Sequence, residues 1–134
     1  MTNSKKRGDA RGFTFVEMLT ILALIAVLVA IAWGRFNKSH EKALEATMLS
    51  DLRNLMTGQE LYYRLHQTYA PDISLVNIEP SPRSAIHISE SSPMGWAAWN
   101  EISGASKNCG VYIGNAAPPQ GFVTESSRIF CDLP

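Results

Sequence analysis

The sequence predicts an α+β protein: one long N-terminal helix, transmembrane in its first half and amphipathic in its second, packed on a small C-terminal antiparallel β-sheet. Three observations predict it. Residues 13–33, FTFVEMLTILALIAVLVAIAW, hold Thr14, Glu17 and Thr20 as their only polar residues. Between Leu44 and Leu65 the apolar residues mostly return at intervals of three and four. Beyond Pro71 the chain breaks into short apolar runs separated by Gly, Pro, Ser and Asn.

The apolar run is 21 residues long. At 1.5 Å per residue, a bilayer core of about 30 Å needs roughly 20 helical residues. The chain of 134 residues has no net charge, but the charge is unevenly placed. Residues 1–12 carry Lys5, Lys6, Arg7 and Arg11 against Asp9, a net of +3, and the remainder carries −3. Basic residues beside a span resist translocation, so the leader is expected in the cytoplasm and the C-terminal hundred or so residues outside. No Lys/Arg cluster follows the span, which argues against sequence-specific nucleic-acid binding.

Glu17 is the anomaly. A carboxylate in a bilayer costs about 2–3 kcal/mol or more, less near the interface, and such a residue usually has a partner. A secretory signal peptide cut after Ala30-Ile31-Ala32 leaves Glu17 unexplained, as does a plain single-span anchor. A cut between Gly12 and Phe13 supplies a partner. The new Phe13 α-amine is a cation one helical turn from Glu17, and each charge offsets the other's desolvation. An amine from a neighbouring subunit would make the pair a register device between helices.

The stretch Gly12-Phe13-Thr14-Phe15-Val16-Glu17-Met18-Leu19, behind a basic leader and before an unbroken apolar run, resembles the signal sequence of type IV pilins and pilin-like prepilins. The resemblance implies that a prepilin peptidase removes residues 1–12 and that Phe13 is N-methylated. It implies that Glu17 is the assembly residue and that the helices bundle into a filament core. The expected organisation is a leader at 1–12, a transmembrane and filament-core helix at 13–33, and an amphipathic helix with a globular head at 34–134. The expected function is structural subunit of a type IV pilus, held in the inner membrane with its C-terminus outside before assembly and in a cell-surface filament afterwards. The implied partners are copies of itself in a helical homo-oligomer, the prepilin peptidase, the assembly platform and minor pilins.

No Pro interrupts residues 13–70, so a helix of about 50 residues is expected to end near Gln67, with Pro71 barring its continuation. Its stripe, Leu44, Met48, Leu52, Leu55, Met56, Leu61, Tyr62 and Leu65, is read as a seam for a sheet. Lys38, Glu41, Lys42 and Glu45 are read as a solvated face. Gly34 and Gly58 are read as weak points of the helix, since a helical glycine costs about 1 kcal/mol against alanine. Many major pilins carry a proline near Gly34, which this chain lacks. A connecting segment is expected through the Pro-rich residues after 70. The strand candidates are 85–89, 95–102, 109–114, 122–124 and 128–131, forming a meander. Trp96 and Trp99 are expected as sheet and core aromatics.

Cys109 and Cys131 are most simply a disulfide in a head outside the cytoplasm. Among pilins the resemblance implies a disulfide that closes a C-terminal loop. No catalytic or metal constellation is present: His40, His66 and His87 are scattered, and no nucleotide or zinc motif occurs. The chain is therefore read as no enzyme, with no cofactor. The alternative is a pseudopilin of a type II secretion or DNA-uptake system, which shares the N-terminal motif. Type II major pseudopilins commonly use a calcium-bound C-terminal loop and lack the disulfide. Here the acidic residues after Asn100 are Glu101, Glu125 and Asp132, few for a cation that takes six or more oxygens. A membrane-anchored sensor or binding module would not need Glu17.

Overall fold

A computed structural model describes residues 12–132. The leader expected at 1–12 lies outside the described residues apart from Gly12. Helix α1 spans Phe15–His66, and a four-stranded sheet follows: β1 Ser84–Ser92, β2 Gly95–Ile102, β3 Asn108–Gly114 and β4 Phe130–Asp132. The strands lie in sequence order and every neighbouring pair is antiparallel. The fold is thus the predicted α+β arrangement. The described residues divide into two compact units, which part between Asn37 and Lys38.

In the first unit α1 runs through Gly34 without a break, and its apolar side chains from Phe15 to Phe36 are exposed. The segment is long and apolar enough to cross a membrane, and none of it is buried within the protein.

The second unit has a hydrophobic core. Leu44, Met48, Leu52 and Leu55 of the helix bury against Trp96, Ala98 and Ile102 of β2 and Cys109 and Val111 of β3. Alternation along β2 puts Trp96, Ala98, Asn100 and Ile102 on the face turned to the helix. Ile86 and Ile88 supply the partly buried face of β1.

The seam departs from the expected stripe at its C-terminal end. Leu61 and Leu65 are exposed, whereas Asp51 and Gln59 are buried. These two polar residues fasten the connecting segment. Gln59 Nε2 donates to the Ala70 carbonyl at 2.9 Å, and the Ala70 N–H donates to Gln59 Oε1 at 2.7 Å. Asp51 Oδ1 accepts from the Ser81 hydroxyl at 2.7 Å, and Oδ2 from the Ser81 N–H at 3.2 Å. The side chains thereby satisfy backbone groups of a segment that has no ladder of its own. Gly58 is no weak point: a Cβ there would run into the Val76 side chain, so the glycine is what lets this segment approach the helix. The helix ends at His66; the next residue, Gln67, adopts a left-handed conformation (φ 57°) and donates its N–H to the Tyr63 carbonyl at 2.8 Å.

The strands differ from expectation in three places. β1 is longer than 85–89, reaching Ser92 through an irregularity between Ile88 and Glu90, and it turns into β2 across Pro93-Met94. Residues 122–124 form no strand. There the chain turns, with the Val123 N–H donating to the Gln120 carbonyl, and Val123 is buried against Gly110, where no Cβ keeps it off β3. The third difference is at the last candidate: of 128–131, only Phe130 and Cys131 belong to β4. Trp96 is a core aromatic, but Trp99 lies in the sheet on the opposite face, stacked at 4.3 Å on His87, its direct neighbour on β1. His87 also meets Glu101 at 3.2 Å, so it is a partnered residue rather than an isolated one.

Candidate functional site

The candidate site is the start of the apolar helix. α1 begins at Phe15, and the first helical bond runs from the Met18 N–H to the Thr14 carbonyl at 3.2 Å. Thr14 is therefore the N-cap and Glu17 the third residue of the helix. Their groups are paired reciprocally. The Glu17 N–H donates to Thr14 Oγ1 at 3.3 Å, and the Thr14 N–H donates to Glu17 Oε2 at 2.9 Å. The Thr14 hydroxyl adds a bond to the same Oε2 at 3.0 Å. This is a capping box, which satisfies two backbone N–H groups that a helix start otherwise leaves without partners. A carboxylate in the first turn also faces the favourable end of the helix dipole.

Sequence reasoning missed this pairing, although Thr-x-x-Glu before an apolar run is its signal. Within its own chain Glu17 is thus partnered by Thr14, in addition to the Phe13 amine that cleavage would create. Both donors are neutral, and among the described residues no cation forms an ion pair with Glu17. Thr20 is satisfied locally as well: its hydroxyl donates to the carbonyls of Val16 at 3.1 Å and Glu17 at 2.9 Å.

Gly12 and Phe13 precede the cap, are not helical and are exposed. The bond between them is therefore in chain that no helical hydrogen bond holds.

The other predicted pair lies in the head. Cys109 and Cys131 stand opposite each other on β3 and β4 and form a disulfide. The loop it closes folds back over the sheet. The Ala117 N–H donates to Glu90 at 2.9 Å, and the Ser127 N–H donates to the Tyr112 carbonyl at 2.8 Å. Among the described residues no group of three His, Cys, Asp or Glu could hold a metal ion.

Residues 7–33 match the family described as the prokaryotic N-terminal methylation motif. The chain is similar to the type IV major pilin protein PilA of Myxococcus xanthus (strain DK1622), with 27% identity over 70 residues. That match covers 52% of this chain and 32% of the relative, so the chain matches about a third of the relative's length. Both matches bear out the resemblance to type IV pilins and pilin-like proteins.

Proposed function

We propose that this chain is a structural, non-enzymatic subunit of a type IV pilus. The observation that carries the reading is an exposed apolar helix with a charged carboxylate in its first turn, immediately after an unwound Gly12–Phe13 junction. In this reading residues 1–12 are a cytoplasmic leader, 13–33 the span and later filament core, and 34–134 the amphipathic helix and head. Prepilin peptidase cuts after Gly12, and Phe13 is N-methylated. The subunit waits in the inner membrane with its C-terminus outside. The assembly platform then builds it, with minor pilins, into a surface filament. Docking pairs Glu17 of one copy with the Phe13 amine of another, and each charge relieves the other in a dry bundle, where an unpaired one costs about 3–5 kcal/mol. The disulfide across β3 and β4 is the observation that favours a pilus subunit over a pseudopilin of a secretion or DNA-uptake system.

The test is made in a strain with no other copy of the subunit. Intact mass and N-terminal peptide analysis of sheared filaments should show a terminus at methylated Phe13. Glu17→Val should leave subunit in the membrane and remove it from filaments. Wild-type assembly by Glu17→Val, or filaments containing the intact leader, would overturn the reading.

A further inference from the structure

We propose that Thr14 is the positioning residue of the Glu17 carboxylate: it holds one oxygen to close the helix and so presents the other to the cation of a second copy of this chain. The inference rests on the reading of Glu17 as an assembly residue and concerns how that residue is made ready. The observation is the division of labour between the two carboxylate oxygens. Both Thr14 bonds, from the N–H at 2.9 Å and from the hydroxyl at 3.0 Å, go to Oε2. Among the described residues no hydrogen bond reaches Oε1. A carboxylate has lone pairs on both oxygens, so capping the helix leaves Oε1 its full accepting capacity.

Two consequences follow from position and from entropy. Both donors lie on the C-terminal side of the Gly12–Phe13 bond, so cutting that bond removes neither, and the carboxylate keeps its orientation through processing. A free Glu side chain loses rotamer freedom when it docks; one already held by two bonds has less to lose, which favours association. Thr14 makes no bond to the incoming cation in this scheme. It acts through Glu17.

The experiment uses the full chain, processed in cells lacking any other copy, with Thr14→Val, Thr14→Ser and Glu17→Gln. Two quantities are read: the ratio of subunit in sheared filaments to subunit in membranes, and hydrogen exchange of the Glu17 amide in detergent micelles. Thr14→Val keeps the shape and removes the hydroxyl. Amide exchange at Glu17 should rise about fivefold, the equivalent of roughly 1 kcal/mol for a lost cap, and the filament ratio should fall at constant membrane level. Thr14→Ser should restore both to within about twofold. Glu17→Gln keeps an oxygen for the cap and removes the charge, so its exchange should stay near wild type while filaments fall by more than about tenfold. Normal filaments or unchanged exchange in Thr14→Val, or failure of Thr14→Ser to rescue, would overturn the positioning role. The Glu17→Gln filament ratio decides separately whether the assembly reading itself stands.

Discussion

The two units treat the same kind of side chain in opposite ways. In the first, Leu24, Leu28 and Trp33 are 67, 66 and 68% exposed. In the second, Met48, Leu52 and Leu55 of the same helix are fully buried. Helix propensity does not separate them, since both stretches are unbroken α-helix. What separates them is cover. From Leu44 onward the chain itself supplies a sheet to bury the apolar stripe; among the described residues nothing buries the side chains before Asn37, although they are more uniformly apolar. A segment of that composition is stable only in surroundings from outside the chain, either lipid or other helices. The apolar contacts of the head are made within the chain, and those of the N-terminal segment are not.

The strongest way to break this comparison is to separate the units. A chain starting at Lys38, exported behind a cleavable signal, should be soluble and unfold cooperatively on heating, because every core residue lies beyond that point. Aggregation, or a melting curve without a transition, would mean that the head depends on the N-terminal segment.

The second test concerns the staple of the head. Replacing Cys109 and Cys131 by Ser opens a bridge with a sequence separation of 22 residues. In the chain-entropy treatment this lowers stability by about 3 kcal/mol. Urea unfolding of the head measures it, and an unchanged midpoint would remove the bridge from the list of stabilising features.

Gln59→Leu sharpens the comparison from the side of polarity. The substitution makes the helix stripe more apolar yet strips the Ala70 N–H and carbonyl of their partners. Each orphaned buried group costs about 1–3 kcal/mol, so the variant should be less stable by about 2 kcal/mol despite its added hydrophobicity. A more stable variant would show that burial alone governs this end of the helix. Leu61→Ser, on an exposed site of the same helix, should change stability by no more than about 0.5 kcal/mol.

The smallest effect is a dependence on acid. Glu41 accepts from the Ser106 hydroxyl at 2.9 Å and from the Ser106 N–H at 3.2 Å. These bonds, the hydroxyl first, hold its carboxyl below the ordinary value of 4.5. A carboxyl depressed in the folded state binds its proton more readily when unfolded. Its contribution is therefore present above the ordinary value and is lost as pH falls through the depressed one. Urea midpoints taken between about pH 6 and pH 3 should fall less steeply for Glu41→Gln than for wild type. Identical slopes would show that the contact is not kept in solution.

Much of this was legible along the chain, because it depends on near neighbours or on simple periodicity. Helix α1, its end before Pro71 and strands 95–102 and 109–114 came from runs and breakers. The cap at Thr14 is legible too, in the three-residue spacing of Thr14 from Glu17 ahead of an apolar run, a signal that the charge of Glu17 overshadows. Residues 122–124 carry a strand-like signal but form a turn, since an apolar Val between turn residues looks alike whether it pairs or plugs. Leu61 and Leu65 kept the helical period but had no sheet left to face.

The sequence by itself determined where an apolar helix starts, what sits in its first turn and that a folded head follows, since composition and short spacing control these through local hydrogen bonding and transfer to an apolar medium. Only the tertiary structure decided that Gln59 and Asp51 belong in the core, that Gly58 is a point of close approach and that Val123 closes against Gly110. Those outcomes depend on groups far apart in sequence: Ala70 and Ser81 carry backbone groups that need partners, and Val76 and Val123 need room that only a glycine leaves.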